Sequence, residues 1–309
     1  MKILGIGNAI VDVICKIDEN FISENNLTKG TMKLIFDINE FEKLLSNLKI
    51  EKTISGGSVA NSIVGLSQLG NKVGFIGKIS DDELGNKYEQ GLKNEKVNYL
   101  YLKKKENLPT GTCLILVTPD SERTMCTFLG TAGQINEKDI QLEEVKKSEI
   151  IFLEGYLWDE GDPKKAFDKA ISNSNKVAMS LSDKFCVDRH KTHFLNLVKE
   201  KLDITFANES EIMSLINTKN FNDVISFGKE IKKKLIITRG EKGAISINSE
   251  EIIEIKAINN LKIIDLTGAG DLFAAGYLHG LINNFSSKEC LEKGTELSSK
   301  IIQKIGARL

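Results

Sequence analysis

Two glycines followed by a carboxylate form the stretch of this sequence best suited to chemistry. Gly268 and Gly270 separate the strand-like run 261–264 from an apolar, helix-like segment that begins near Asp271. Glycines at a helix start leave backbone N–H groups open to an anion, because no β-carbon shields them. A carboxylate there would repel a phosphate, unless it accepts the proton of a hydroxyl group that attacks the phosphate. The alternative is an ordinary glycine turn with Asp271 as an N-terminal helix residue.

A second pair of glycines, Gly56 and Gly57, also precedes a helix-like segment. Their lack of a β-carbon permits close approach of the backbone to a ligand. Asn61 would lie about one turn into that helix, where its amide reaches the same ligand. By itself, the stretch is better explained as a glycine loop with a solvated asparagine.

Further polar residues come directly after apolar, strand-like runs: Glu154, Asn208 with Glu211, and Thr238-Arg239-Gly240. Ligands bind at the carboxyl ends of the strands of a parallel sheet, so these residues are site candidates. Asn208 and Glu211 offer oxygen ligands that suit a hydrated Mg²⁺, although by themselves they are better explained as a helix cap. A hairpin explains the segment 235–247 without any ligand.

The composition argues against several classes of function. The 309 residues carry a net charge of −1, with an isoelectric point near 6.4, so no charge excess favours nucleic acid or a membrane surface. No apolar run approaches the length of a membrane span. Five scattered cysteines without CxxC spacing are typical of a reducing compartment, and we expect a cytoplasmic protein. The sequence lacks GxxxxGK[ST], and Ile10 stands where a dinucleotide-binding fingerprint has its third glycine.

The elements that position these residues alternate regularly after residue 150. Strand-like runs and helical patterns follow one another there, which predicts an α/β fold with a mostly parallel, Rossmann-like sheet and helices on both faces. Strand-like segments that do not alternate with helices occupy about 12–37 and 97–128. We therefore predict a single domain over 1–309, with a small, discontinuous β-sheet lid from about 12–37 and 97–128 inserted in the α/β core.

The order of the motifs resembles the ribokinase-like (PfkB) family of carbohydrate and nucleoside kinases along essentially the whole chain. The matching motifs are, in order, GNAIVD, GGSVANS, NESE, TRGEKG, DLTGAGDLF and a terminal IGA. DLTGAGDLF matches the C-terminal signature of that family, and GGSVAN with the following helix matches the N-terminal signature. The resemblance implies ATP-dependent phosphorylation of a hydroxymethyl group by a ribokinase-like α/β core with a β-sheet lid.

The resemblance also implies a role for each matching residue. Asp271 corresponds to the catalytic base, and the backbone of Thr267, Gly268, Ala269 and Gly270 corresponds to the anion hole. The implied substrate contacts are Asn8, Asp12, Gly56, Gly57, Asn61 and Glu154. The implied ATP contacts are Asn208, Thr238, Arg239, Gly240, Gly243, Thr267, Gly268 and Gly270. Asn208 and Glu211 would bind Mg²⁺ through water, and Asp265 and Thr267 match positions that often bind a monovalent cation such as K⁺ in relatives.

Within the family, GN-x-x-x-D followed by GGS-x-x-NS is most similar to the adenosine kinase branch. The element 153–159 and the terminal Ile-Gly-Ala-Arg are similar to bacterial members of that branch. We therefore predict a kinase that phosphorylates the 5′-hydroxyl group of a nucleoside, adenosine above all. Ser58 stands where ribokinases usually carry a lysine, which weakens a ribose kinase.

Three alternatives stay open at this point. They are a sugar kinase with a ribose- or fructose-like substrate, a non-catalytic nucleoside-binding protein, and a dinucleotide-dependent oxidoreductase. The expected partner is a small-molecule nucleoside or sugar, with neither nucleic acid nor membrane. An exposed lid edge could pair with a second chain, so we expect a monomer or a homodimer through the lid.

Overall fold

Two β-sheets of unequal size organise the chain. The computed structural model describes residues 1–120, 122–158 and 163–309, so Ser121 and the last residue of the element 153–159, Asp159, lie outside the described residues. The strands of the described residues are β1 (Ile3–Ile6), β2 (Ile10–Lys16), β3 (Met32–Ile35), β4 (Ile50–Gly56), β5 (Val73–Ile76), β6 (Asn98–Tyr99), β7 (Thr112–Val117), β8 (Arg123–Phe128), β9 (Ile150–Glu154), β10 (Val177–Ser180), β11 (Ile204–Asn208), β12 (Lys234–Thr238), β13 (Ala244–Ile247) and β14 (Ile252–Ile255).

The α-helices of the described residues lie mostly between the strands of the larger sheet. They are α1 (Glu19–Glu24), α2 (Ile38–Ser46), α3 (Ser58–Gln68), α4 (Glu83–Asn94), α5 (Leu142–Lys147), α6 (Lys164–Ser172), α7 (Lys184–Asn196), α8 (Glu209–Leu215), α9 (Phe221–Glu230), α10 (Ala269–Ile282) and α11 (Ser287–Ile301).

The larger sheet has the strand order β14-β13-β12-β11-β10-β9-β1-β5-β6. All neighbours from β12 to β6 pair in parallel, and β13 and β14 add an antiparallel edge. Successive residues of β1 serve opposite faces, since Ile3 belongs to one apolar core and Leu4 to the other. The predicted α/β fold, a mostly parallel sheet with helices on both faces, is thereby confirmed.

The smaller sheet has the order β3-β8-β7-β2-β4 and differs in part from the expected lid segments. β4 lies outside the expected segments, and β6 pairs with β5 in the larger sheet. The Tyr99 ring explains the position of β6, because it packs against Phe75 and Tyr88 of the larger sheet and α4, with ring centroids 6.5 and 6.0 Å away.

Strand β2 presents its two faces to different surroundings, as its alternating sequence predicts. Val11 and Val13 are buried in the apolar core, whereas Asp12 lines a cleft between the smaller sheet and the start of α10. This alternation fixes which side of the smaller sheet can meet a ligand.

The strand predicted over 261–264 is wrong, because no strand forms there. The amides of Ile264 and Asp265 instead donate to the carbonyl oxygen of Ile302, beyond the end of α11, at 2.8 and 3.2 Å. Ile263 and Ile264 are 58% and 50% exposed, so they join neither core. The segment before the glycine turn is therefore held by the chain after α11 and not by a neighbouring strand of the larger sheet.

Candidate active site

The two glycine turns meet at Asp271, in the first turn of α10. Ser58 Oγ and Asn61 Nδ2, both from α3, donate to the Asp271 carboxylate at 2.6 and 3.0 Å. Ser62 Oγ also donates to the Asp271 carbonyl oxygen at 2.9 Å. Gly57 begins α3 with a φ of 99°, a conformation that favours glycine. The sequence-predicted Asp271, Gly57 and Asn61 are therefore brought together.

The surroundings of Asp271 prepare its carboxylate to exchange a proton near neutral pH. Burial raises its pKa from the ordinary value of 3.8 to about 6, while the hydrogen bonds from Ser58 and Asn61 and the charge of Arg308 oppose that rise. A carboxylate with this pKa is mostly ionised at pH 7 and still basic enough to take a proton. That combination suits a general base.

The turn before α10 leaves selected backbone amides open. Gly268 has a φ of 77°, and α10 begins without a side-chain cap. The amides of Thr267 and Ala269 donate to Asp265 Oδ1 and to the Leu266 carbonyl oxygen. Those of Gly268 and Gly270 have no acceptor in the described part of the chain, and a β-carbon at Gly270 would meet nothing within 4 Å. Two of the four expected anion-hole amides are thus free to bind an anion.

Asp12, on the smaller sheet, lines a cleft of about 620 Å³ together with Asn61 and Thr267, and this volume is typical of small-molecule sites. Burial raises the pKa of Asp12 to about 7, Arg308 opposes the rise, and Asp271 adds to it. Gly56 lies so close that an added β-carbon would be 2.5 Å from Asp12 Oδ2. Asp12 and Asn61 therefore line the cleft with polar groups that can bind hydroxyls.

Glu154 and Asn8 lie deeper than a direct substrate contact requires. Glu154 is 1% exposed, and its carboxylate accepts from Asn8 Nδ2 at 3.1 Å and from the Val59 amide at 3.0 Å. Burial raises the pKa of Glu154 to about 7. In this arrangement Glu154 supports the start of α3, while Asn8 Oδ1 is buried and has no hydrogen-bond partner among the described residues.

Asn208 and Glu211 form a reciprocal cap at the start of α8. Glu211 Oε2 accepts from the Asn208 amide at 2.9 Å, and Asn208 Oδ1 accepts from the Glu211 amide at 2.9 Å. Burial raises the pKa of Glu211 to about 7. Burial, followed by the neighbouring Asp183, raises the pKa of the Tyr156 hydroxyl, and the charges of Asp271 and Glu211 add to the rise.

The hairpin after β12 is accounted for largely by its own contacts. The Arg239 guanidinium lies 3.8 Å above the centre of the Phe221 ring and pairs with Glu209 and Glu254 at 2.8 and 2.6 Å. The Arg239 amide donates to the Gly243 carbonyl oxygen at 2.8 Å, which closes the turn. A nucleotide would therefore meet the backbone near Thr238 and Gly240, where a β-carbon on Gly240 would meet open space.

Asp265 and Thr267 do not fit a bound monovalent cation. Asp265 Oδ1 accepts from the amide and the hydroxyl of Thr267, at 3.0 and 2.7 Å. Its Oδ2 accepts from Arg123 at 2.6 Å and from the Gly306 amide at 2.7 Å. All these partners are donors, so the guanidinium of Arg123 already supplies the positive charge at this carboxylate.

Sequence reasoning missed four residues of the site: Ser58, Ser62, Arg123 and Arg308. Ser58 had a usable signal, since it directly follows the paired glycines. Arg123 and Arg308 pair with residues 142 and 247 positions away, respectively. No local pattern reveals such distant partners.

A parallel α/β sheet, a glycine-rich helix start and a buried carboxylate at a cleft together define a phosphotransferase that acts on a hydroxyl group. The chain belongs to the pfkB family of carbohydrate kinases, whose family model matches residues 31–309. None of the described helices has the length and apolar content needed to cross a membrane.

Solved structures and characterised relatives agree with this family. The structure of adenosine kinase from Sinorhizobium meliloti has a TM-score of 0.89 and 34% identity, covering 100% of this chain and 95% of that one. A probable sugar kinase from Rhizobium etli CFN 42 has a TM-score of 0.88 and 34% identity, covering 99% and 94%. Adenosine kinase 2 from Arabidopsis thaliana is 24% identical over 98% of this chain and 94% of its own length.

Proposed function

We propose that this chain transfers the γ-phosphoryl group of ATP to the 5′-hydroxyl group of a nucleoside, with adenosine as the preferred substrate. The observation that carries the proposal is the position of Asp271, whose half-buried carboxylate follows directly on the open amides of Gly268 and Gly270 in the chain. The likeness to the S. meliloti adenosine kinase supports the choice of adenosine. The GN-x-x-x-D and GGS-x-x-NS motifs support it as well.

The reaction needs a base at the acceptor hydroxyl and positive potential at the phosphoryl group that moves. Asp12, Gly57 and Asn61 hold the sugar, and Asp271 accepts the 5′-proton as attack begins. The amides of Gly268 and Gly270 stabilise the negative charge that develops on the phosphoryl oxygens. The smaller sheet acts as a lid that excludes water, which would otherwise compete as the acceptor.

Asn208 and Glu211 suit a Mg²⁺ held through water. When bound with the nucleotide, Mg²⁺ would neutralise the negative charge of the phosphates. The Glu211 oxygens already accept from the amide and the side chain of Asn208, so a direct metal bond would break the cap. A water-mediated contact preserves these bonds, and Thr238 and Gly240 contact the nucleotide nearby.

A sugar kinase is the second candidate, because the probable sugar kinase from R. etli has the same identity to this chain as the adenosine kinase. The hydroxyl-binding groups Asp12 and Asn61 suit a ribose-like sugar with or without a base. Ser58 weakens the ribose kinase alternative, because ribokinases usually carry a lysine at this position. In this chain the Ser58 hydroxyl donates to Asp271. A non-catalytic nucleoside-binding protein would have no need for the base beside open amides.

The cysteines bear on the redox compartment of the enzyme, and the edges of the smaller sheet bear on its oligomeric state. Cys15, Cys113, Cys126, Cys186 and Cys290 are free and buried, which supports a reducing compartment such as the cytoplasm. β3 and β4 form the edges of the smaller sheet, and Met32 and Ile50 at these edges are 51% and 44% exposed. The chain would work as a monomer or as a homodimer that pairs through such an edge.

An ADP-release assay with MgATP tests the proposed function. The panel contains adenosine, guanosine, cytidine, uridine, free ribose and fructose, with 5′-deoxyadenosine as the matched control that lacks the acceptor hydroxyl. We expect the fastest turnover with adenosine, and no turnover but competitive inhibition with 5′-deoxyadenosine.

Three outcomes decide between the candidates. Turnover with free sugars alone would replace the nucleoside by a sugar substrate. Turnover of 5′-deoxyadenosine would exclude the 5′-hydroxyl as the acceptor. Lack of turnover with the whole panel would contradict the proposed function.

A further inference from the structure

The C-terminal segment 305–309 enters the candidate active site. A β-carbon on Gly268 would lie 2.7 Å from the Ala307 Cα, so this segment packs directly on the turn that carries the open amides. The Gly306 amide donates to Asp265 Oδ2 at 2.7 Å and fixes the segment on its other side. These two contacts place the next residue, Arg308, in the cleft.

Arg308 is linked to the proposed base through one asparagine. Its Nε donates to Asn61 Oδ1 at 3.3 Å, and Asn61 Nδ2 donates to Asp271 Oδ2 at 3.0 Å. An arginine side chain has donors only, so it can bind only the oxygen of the Asn61 amide. The nitrogen of that amide must then face Asp271, whereas a reversed amide would set two oxygens against each other.

The charges around Arg308 come from three elements. Asp12 lies on β2, Asp271 lies on α10 and Glu95 ends α4, while the nearby Tyr88 of α4 is a neutral phenol because burial raises its pKa. Arg308 Nη2 is buried and has no hydrogen-bond partner among the described residues, so the side chain is not consumed by a structural ion pair at that atom. Arg308 therefore lies among several acidic groups, of which Asp12 and Glu95 line the cleft, and Lys52, Lys87 and Arg123 line the same cleft.

We propose that Arg308 is a positioning residue of the phosphotransfer reaction: it orients the Asn61 amide toward Asp271 and offsets the charges of Asp12 and Asp271. The proposal rests on the role of Asp271 as the base, given under the proposed function. Without Arg308, Asp12 and Asp271 would lose the positive charge that opposes the rise of their pKa values, and both would bind protons more readily.

The direction of the pKa shifts agrees with this geometry. The positive charge of Arg308 opposes the rise that burial causes in the pKa of Asp12 and of Asp271. Glu154 and Tyr156 are further ionisable groups near Asp271, and their pKa values are raised mainly by burial, with the charge of Asp271 adding to the rise. Both are acids, so neither replaces Arg308 as a source of positive potential.

The kinetic test compares Arg308→Gln, Arg308→Lys and the control Lys304→Gln with adenosine and MgATP between pH 5 and 9. Loss of a nearby opposite charge raises a carboxyl pKa by about one unit, so we expect the acid limb of Arg308→Gln to move up by about one pH unit. Its kcat would then fall about 5- to 10-fold at pH 6 and recover in large part at pH 8.5. Arg308→Lys keeps the positive charge but not the planar donor. Its acid limb should therefore lie between those of the wild type and Arg308→Gln. Lys304 is exposed on the same segment, and Lys304→Gln should match the wild type.

A substrate-free measurement keeps the inference independent of the substrate. A carboxyl group with a raised pKa in the folded state adds stability at low pH, which is lost as pH rises through that pKa. Loss of Arg308 raises these pKa values further, so Arg308→Gln should lower the Tm more at pH 8 than at pH 5. An equal loss of Tm at both pH values, or a uniform fall of kcat across the pH range, would overturn the proposal.

The Asp271→Asn background separates this inference from the proposed function. If Arg308 acts through Asp271, Arg308→Gln should lower kcat by a much smaller factor in the Asp271→Asn variant than in the wild type. Normal turnover of Asp271→Asn would contradict the base itself. An inactive Asp271→Asn together with a wild-type pH profile for Arg308→Gln would overturn only the role of Arg308.

Discussion

Asp265 and Asp271 flank the same short turn, yet their surroundings give them opposite acid strengths. Burial alone would raise the pKa of Asp265, but hydrogen bonds from Gly306 and Thr267 and the charge of Arg123 outweigh it and lower the pKa. Asp271 has two hydrogen bonds to its carboxylate and the more distant Arg308, so burial prevails and its pKa rises to about 6.

The difference shows how one turn serves two purposes. Asp265 joins the smaller sheet, the turn and the C-terminal segment through Arg123, Thr267 and Gly306, and these donors favour its ionised form. Asp271 is left able to exchange a proton beside the open amides of the same turn. The number of donors around each carboxylate, and not its residue type, separates the structural role from the proposed catalytic one.

Asp271→Asn should produce the largest effect on activity. The amide keeps the shape of the side chain but cannot accept the proton, so we expect kcat to fall by about 10²–10⁴-fold. Binding of ATP, measured by calorimetry, should be retained. Near-normal turnover in steady-state ADP release would remove Asp271 from the base role.

The pH profile should show the protonation of the same carboxylate. Because Asp271 must be ionised to act, kcat/KM should fall about tenfold per pH unit below its pKa, which lies at about 6. The profile is measured in one buffer series at constant ionic strength, after the stability of the enzyme at each pH has been checked. Activity that stays constant down to pH 5 would contradict the raised pKa.

Asp265→Asn should mainly affect stability, by about 1 kcal/mol, since it weakens an acceptor of exposed and partly buried donors and leaves Arg123 without its charge partner. The lowered pKa of Asp265 gives stability that is present above its ordinary value of 3.8 and lost as pH falls through the folded-state value. The raised pKa of Asp271 acts in the opposite sense: it stabilises the folded protein at low pH, and this contribution is lost as pH rises through about 6.

Urea unfolding from pH 3 to 8 separates the two carboxylates. Asp271→Asn should flatten the stability curve between about pH 4 and 7, and Asp265→Asn should flatten it only at the acid end. Identical pH dependence in both variants would mean that the two carboxylates do not differ as described.

Ser58→Ala should have a smaller effect on catalysis. Removing one hydrogen bond of ordinary strength would lower kcat about 3- to 10-fold and move the acid limb upward, because this bond opposes the rise of the Asp271 pKa. Ser62→Ala is the matched control, since Ser62 donates to the backbone carbonyl of Asp271 and not to its carboxylate. An acid limb that moves equally in both variants would contradict this assignment.

Replacing K⁺ by tetramethylammonium should have the smallest effect. Arg123 already supplies the cation at Asp265, so turnover should not change. Strong activation by K⁺ in steady-state assays would show that a monovalent cation binds near Asp265 despite the ion pair.

Local patterns were sufficient to predict much of the fold. The apolar runs of β9 to β12 indicated the parallel sheet, and the alternation of Val11, Asp12 and Val13 indicated which side chain of β2 faces the cleft. The pattern failed at Ile263 and Ile264, because these residues meet the chain after α11 and have no neighbouring strand. An apolar run does not reveal which partner it will have.

The candidate site was predictable in its glycine turns and its base, and less so in its charges. Asp271 was identified because a carboxylate beside open amides would repel the anion that these amides bind, unless it serves as a base. The partners Arg123 and Arg308 are single arginines without a local pattern, and their ion pair and hydrogen bond depend on the complete tertiary fold. Glu154 was expected at the substrate and lies behind the start of α3, since burial cannot be inferred from its position after a strand.

The packing of α3 against α10 also sets the time at which activity can appear during synthesis. Ser62 to Asp271, and Asn61 to Asp271, span 209 and 210 positions of the chain. At about 5–20 residues per second, a ribosome needs roughly 10–40 s to make the intervening chain. During that interval the face of α3 around Gly65, which packs against Leu272 and Ala275 of α10, lacks its final cover, so nascent chains should expose this face until α10 has been made.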